Sequence, residues 1–355
     1  MPDTRHAIRR PLSIPRPAVL LAAALVLGAC GGGEGGGRTV LTVYSPHGRE
    51  MLQAFEKRYE ALHPDVDVQP VDMGSQEVLD RLRSERANPQ ADVWWGAPSA
   101  TFEDAARDSL LAPFVPTWAA HLPPEAKSGA GLWHGTYLTP EVIAFNTQAV
   151  PVDQAPKDWD EVLDPRWKDK VLIRDPMASG TMRTIFGMMV YRGIRAGQDT
   201  TPGFQWLRRL DGQTREYVLN PTILYQKLAR QEGVITLWDQ PDIDALKAKG
   251  NYPIDYVFAR SGTPLVVDGV AVVRGAKHPD AAKAFVEWIG GEAVLPAARE
   301  FHRLPARTDI PVDSLPANLQ RAKREIVPEQ LDWNLLQQKT NEWMRYWDEH
   351  VRGKG

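Results

Sequence analysis

Apolar residues come in short blocks divided by polar turns, and the period within each block predicts its element. Residues 39–44 (Thr-Val-Leu-Thr-Val-Tyr) read as a buried strand ending at Ser45-Pro46-His47-Gly48. Met51, Leu52, Phe55, Tyr59 and Leu62 recur at helical spacing and predict one apolar stripe, stopped by His63-Pro64-Asp65. Val66, Val68 and Val71 mark a second strand, and Ser75 is placed to cap a helix carrying Val78, Leu79 and Leu82. A strand over 91–96 and a helix with Phe102, Ala105 and Ala106 follow. Beyond residue 145 the alternation resumes: strand 171–175, helix 180–194, helix 222–231 and strand 234–238. Residues 265–267 and 270–273 are strand-like and lead into a helix with Ala281, Phe285 and Trp288. The stretch 316–350 is helical and holds Trp333, Trp343 and Trp347. Strand–helix alternation through short turns predicts an α/β protein with a mostly parallel sheet covered on both faces.

One block departs from this rhythm. Arg5, Arg9, Arg10 and Arg16 precede an apolar stretch over 18–29, which runs into Cys30 and a glycine-rich tract. That is the layout of an export signal, too short for a spanning helix. Cys30 is the one cysteine in the sequence. The segment resembles the lipobox of bacterial lipoproteins, which implies a signal peptide over 1–29, diacylation of Cys30, and a flexible tether over 30–37. Two acyl chains, such as palmitate, contribute about 0.8 kcal/mol per buried CH₂ and would hold the protein at a membrane. A plain secretory signal with an incidental cysteine is the alternative. The chain has 42 Lys+Arg and 45 Asp+Glu; the leader removes four arginines and Asp3, leaving 38 against 44, a net −6. An acidic balance argues against nucleic acid as a partner. With a single cysteine there is no internal disulfide, so packing must supply the stability.

Four segments taken in order resemble a known family. They are Tyr44-Ser45-Pro46-His47-Gly48, Ala91-Asp92-Val93-Trp94-Trp95, Asp175-Pro176-Met177-Ala178-Ser179-Gly180-Thr181, and the run from Gly269 through Val273 to His278-Pro279. Their order and spacing are similar to the extracellular solute-binding proteins of bacterial ABC importers, in the branch that includes ferric-ion, thiamine, polyamine and phosphonate or sugar-phosphate binders. The resemblance covers the chain beyond the tether. It implies a type II periplasmic-binding-protein-like fold, two α/β lobes joined by a two-segment hinge. Lobe 1 is expected at 38–140 plus 265–305. Lobe 2 is expected at 141–264 plus 306–355, the latter including the C-terminal helices. The resemblance also implies a small-molecule solute clasped by hinge closure, delivery to permease subunits, a monomer, and no cofactor.

In open α/β sheets the ligand sits beyond the carboxyl ends of the strands, a rule that selects loops independently of the resemblance. The candidates are Ser45, His47, Ser75, Trp95, Ser179, Gly180, Thr181, Trp238 and Asp239. Ser179-Gly180-Thr181 follows a strand and opens a helix, so N–H groups and two hydroxyls suit a phosphate, phosphonate or carboxylate. Alternatively Ser179 is an ordinary N-cap. Ser75 carries the same two readings. Arg174 and Arg183 are near enough to Ser179 in sequence to add charge there, but the expectation is a surface or inter-helix role. Trp94 and Trp95 alternate faces, so at most one faces the cleft. Trp238 beside Asp239 suits a cationic or amine-bearing group. With the anion turn this fits an aminophosphonate or a thiamine phosphate. The alternative packs Trp238 between lobes and uses Asp239 to cap the next helix.

His47 stands where ferric binders of the family often carry a histidine; otherwise it is a turn residue bonded to backbone. The family's iron site implies two adjacent tyrosines after the 234–238 strand. Here the position reads Trp238-Asp239-Gln240, and one carboxylate poorly replaces two phenolates, so no metal is expected and ferric binding is the second reading. A secreted hydrolase is a third. It finds no Gly-x-Ser-x-Gly, no His-Glu-x-x-His and no cysteine nucleophile beyond Cys30, so the chain is read as a receptor and not an enzyme.

Overall fold

The computed structural model describes residues 37–250 and 252–355; the signal, Cys30 and the tether up to residue 36 lie outside the described residues. The chain opens with β1 (Thr39–Ser45), α1 (Arg49–Leu62), β2 (Val66–Asp72), α2 (Ser75–Ser84), β3 (Val93–Pro98), α3 (Ser99–Arg107) and the short β4 (Leu111–Ala112). A long β5 (His134–Asn146) leads to β6 (Val171–Arg174), α4 (Gly180–Arg195), α5 (Thr201–Gln213), β7 (Thr214–Val218), α6 (Pro221–Ala229), β8 (Ile235–Asp239), α7 (Gln240–Ala248) and β9 (Ile254–Val257). The return runs through β10 (Leu265–Val273), α8 (Pro279–Gly290), α9 (Val294–Phe301), β11 (Leu304–Pro305), α10 (Ala317–Glu325) and α11 (Trp333–His350).

The strands order as β2-β1-β3-β10-β5-β8-β6-β7. Neighbours β1, β2 and β3 are parallel, as are β6, β7 and β8, whereas β10 and β5 pair antiparallel. The sheet is therefore mixed, and the sequence expectation of a mostly parallel one is corrected. The reason is the double crossing between lobes. The first half of β5 pairs with β10 and its second half with β8 and β9. One uninterrupted strand thus carries the chain out, and residues 258–264 bring it back. The two strand-like blocks at 265–267 and 270–273 are a single strand with an irregularity at Asp268 and Gly269.

Two large apolar cores form on either side of this crossing. Lobe 1 packs Val43, Phe55, Trp94, Phe102, Phe285 and Trp288, and lobe 2 packs Phe145, Trp159, Ile173, Phe186, Leu237 and Trp347. In α1 the stripe buries Met51, Leu52, Phe55 and Tyr59, but Leu62 is 55% exposed because it is the last helical residue, past the packed stretch. Buried Asp92 is tolerated in lobe 1 because its two oxygens accept from the Thr42 and His278 N–H groups, each at 2.9 Å.

Candidate ligand-binding cleft

A cavity of about 510 Å³ opens where the carboxyl ends of strands from both lobes meet, a volume in the range of small-ligand sites. Its walls are first turns of helices. Lobe 1 contributes Ser75, Gln76 and Glu77 from α2 and Ser99, Ala100 and Thr101 from α3; lobe 2 contributes Ser179, Gly180 and Arg183 at α4. The leading N–H groups of a helix have no partner within it, so three such turns aim donors and positive dipole ends into one space. Neither α2 nor α3 has a side-chain cap; their N-caps are Gly74 and Pro98. Ser75 is thus the first residue of its helix and not its cap, because glycine already supplies the extended N-cap backbone.

Two guanidiniums add charge. Arg174 donates to the Val218 carbonyl at 3.3 Å, and Arg183 donates to Asn341 Oδ1. Both line the cavity; Arg183 keeps the expected inter-helix contact through Asn341 of α11, while Arg174, bonded to the Val218 carbonyl, departs from that expectation. Burial lowers both guanidinium pKa values, offset in part by Asp175 and Tyr225 for Arg174 and by Asp104 for Arg183. Arginine stays charged regardless, and its fork geometry suits phosphate and carboxylate oxygens. A second hollow of about 340 Å³ is lined by α5, the turn before it and α11, including Phe204 and Tyr346.

The profile of the family described as bacterial extracellular solute-binding protein matches residues 44–295. This chain belongs to that family. It is 28% identical over 319 residues to a probable ABC transporter periplasmic-binding protein of Sinorhizobium fredii, covering 88% of this chain and 86% of that protein. Among solved structures it is similar to the periplasmic binding protein AfuA from Actinobacillus pleuropneumoniae with exogenous fructose-6-phosphate bound (TM-score 0.76, 20% identity, 89% and 100% of the two chains). It is also similar to iron-bound HitA from Pseudomonas aeruginosa (TM-score 0.74, 21% identity, 86% and 98%). At these identities the two structures show the shared type II fold. Membership makes the chain a solute-binding protein of the ABC-import class, working outside the cytoplasm.

Within this solute-binding protein the sequence candidates separate into two groups. Ser75, Ser179, Gly180 and Trp238 line the cavity. Ser179 Oγ accepts from the Met182 N–H at 3.3 Å, so the N-cap reading holds while its hydroxyl hydrogen remains available. Thr181 is half-buried in the same first turn but is not on the wall. Behind the wall lie Ser45, His47, Trp95 and Asp239. Ser45 is fully buried and its Oγ accepts from the His47 N–H at 3.3 Å.

Neither Trp94 nor Trp95 reaches the cleft. Trp94 stacks on Phe102 at 4.1 Å and Trp95 meets Phe55 at 5.3 Å, because a strand covered on both faces buries both alternations. The His47 ring lies 4.7 Å from Trp95 and 6.0 Å from Tyr137, with Nε2 unpartnered. Burial, with the Arg303 charge, holds its pKa well below the ordinary range, so the ring is neutral. Asp239 caps α7 through the Asp242 N–H at 3.0 Å, and Trp238 Nε1 donates to Asp242 Oδ2 at 3.2 Å.

Several wall residues escaped sequence reasoning. Ser99 and Thr101 open a helix directly after a strand, a signal equal to that at Ser179. Gln337, Thr340 and Asn341 form a polar stripe on the Trp-rich α11, whose polarity was the only trace of its return to the cleft.

Proposed function

We propose that this protein captures a small organic anion, a phosphate, phosphonate or carboxylate, between its lobes and delivers it to an ABC permease. The observation that carries the reading is the convergence of three helix first turns with Arg174 and Arg183 on one cavity. Dipole ends, free N–H groups and guanidiniums each favour an anion, and here they act together. Aminophosphonates and thiamine phosphates fit such a site in size and charge. Diacylation of Cys30 and its glycine tether would keep a monomeric receptor beside its permease.

The ferric alternative has less support. Tyr217 and Tyr225 already donate to Asp211 and Asp242, each at 2.6 Å. Among the described residues no three His, Cys, Asp or Glu side chains are grouped to hold a metal ion.

Native mass spectrometry of protein purified from its own envelope, followed by calorimetric titration of the co-purified anion, tests the reading. Arg183→Ala and Ser179→Ala should each weaken binding by about 1.5–3 kcal/mol. Unchanged affinity in both variants, or a co-purified metal in place of an organic mass, overturns it.

A further inference from the structure

The cavity wall carries two acids that work against an anion. Glu77 and Asp104 line it together with Arg174 and Arg183, so the charges on the wall cancel. Asp104 is the acid that bears on Arg183. It stands on α3 of lobe 1, Arg183 stands on α4 of lobe 2, and the carboxylate charge acts on the guanidinium. A carboxylate and a guanidinium that share a cleft can pair directly, and parallel N–H···O bonds then occupy the guanidinium fork. Here each is held by an amide of α11 instead. Asp104 accepts from Gln337 Nε2 at 3.1 Å, and Arg183 donates to Asn341 Oδ1. Asp104 also accepts from Arg107, but that arginine is 59% exposed and its pairing adds little.

Gln337 and Asn341 are four residues apart on α11, so both amides lie on one face of the helix. Their partners dictate how each amide is turned. Gln337 meets the Ala100 carbonyl and a carboxylate oxygen, which only accept; Arg183 only donates, so Asn341 presents its oxygen. Packing fixes where the two amides stand. A Cβ at Gly187 of α4 would lie 3.3 Å from Thr340 Oγ1, so glycine there lets α11 come close one turn beyond Arg183. Thr340 returns its hydroxyl to the Leu336 carbonyl at 2.6 Å and competes for neither charge. Ahead of α11, the buried Glu329 pairs with Arg192 and Arg195 of α4 at 2.5 and 2.6 Å, which anchors the start of the helix to lobe 2.

We propose that Gln337 and Asn341 are positioning residues of the cleft: they hold Asp104 and Arg183 apart, so that the guanidinium meets an incoming anion and is not neutralised from lobe 1. The assignment rests on the anion reading above. An amide suits the task because it offers both a donor and an acceptor without net charge. Asn341 takes a single guanidinium N–H and leaves the others to the solute. Gln337 satisfies Asp104 without placing another cation in the cleft. A carboxylate at 341 would itself pair with Arg183, and a lysine at 337 would itself compete for the solute.

The test is calorimetric titration of the full exported chain, stripped of carried-over solute by unfolding and refolding, with inorganic phosphate and with ethylphosphonate. Asn341→Ala should weaken binding about tenfold, and adding Asp104→Asn should restore most of that loss. The gain from Asp104→Asn should be larger in the Asn341→Ala background than in the wild type. Gln337→Ala repeats the comparison, and melting curves check each fold. An amide that only packs α11 gives no such rescue. A loss that Asp104→Asn fails to restore therefore overturns the proposal, as does no loss at all. If neither anion binds the wild type, the anion reading fails, and a measurement without ligand then decides: the coupling between Arg183→Ala and Asp104→Asn in urea unfolding. Coupling that grows in the Asn341→Ala background retains the amides as spacers between the two charges, and equal coupling in both backgrounds overturns them.

Discussion

Glu141 and His47 are an ordinary acid and base in the sequence, but both are enclosed at the junction of the lobes and both are pushed toward neutrality. The consequence for stability has a definite sign. A carboxyl with a raised folded-state pKa keeps its proton over a pH window in which the unfolded chain has lost it. Stability therefore falls as pH rises through that window, which begins at the ordinary carboxylate range. Urea denaturation from pH ~5 to ~8 should show the wild type losing stability relative to Glu141→Gln as pH rises, and parallel curves would refute this. His47 acts in the other direction, its contribution being lost as pH falls through the ordinary histidine range. It is present in both proteins and cancels. Gly96 supports this histidine: its φ is +89°, and a Cβ there would lie 2.6 Å from His47 Nε2. Gly96→Ala should lower stability by about 2–3 kcal/mol in the same assay, from backbone strain and overpacking together.

The elements most legible in the sequence were those with one buried stripe. α1, α2 and α4 lie within a few residues of the apolar periods that predict them. The helix α5 is hard to see in the sequence, because Pro202 and Gly203 resemble a turn, although proline belongs in a first helical turn. Gly203 is there for contact: a Cβ would lie 2.3 Å from Val190 Cα, where α5 crosses α4. Gly203→Ala should cost about 2–4 kcal/mol in thermal or urea unfolding, since only backbone movement relieves the clash. β5 carries no clear strand period, since Gly135 and Pro140 punctuate it. Pro140 stands where the strand leaves β10, just before Glu141 begins pairing with β8.

At the scale of the molecule, the lobes touch around the cavity mouth. Gln337 Nε2 of α11 donates to the Ala100 carbonyl and to Asp104 Oδ1, both at 3.1 Å, joining lobe 2 to α3. Lys249 and Glu50 add an exposed pair at 3.3 Å, and a Cβ placed at Gly180 would just reach contact distance of Pro98 across the lobes. An exposed pair contributes little, whereas the glutamine bonds are partly buried and specific to this arrangement. Gln337→Ala should shift the population toward open lobes, read as a larger radius of gyration in solution scattering and an affinity loss of about threefold to tenfold. An unchanged scattering profile and unchanged affinity would count against α11 as a latch.

Residue order alone carries the α/β class, most of the striped helices, the acidic balance and the strand-end loops that include Ser75 and Ser179. Those features depend on near neighbours, where a period of two or 3.6 is written directly in residue order. The folded arrangement alone brings Arg174, Arg183 and the polar face of α11 to one cavity, makes both tryptophans of β3 core, and sets Glu141, Asp239 and Asp268 on one sheet face, with the Arg303 charge acting on the two aspartates. Register and lobe crossing bring those groups together across large sequence separations, and a one-residue slip in β5 would have turned Glu141 to the opposite side.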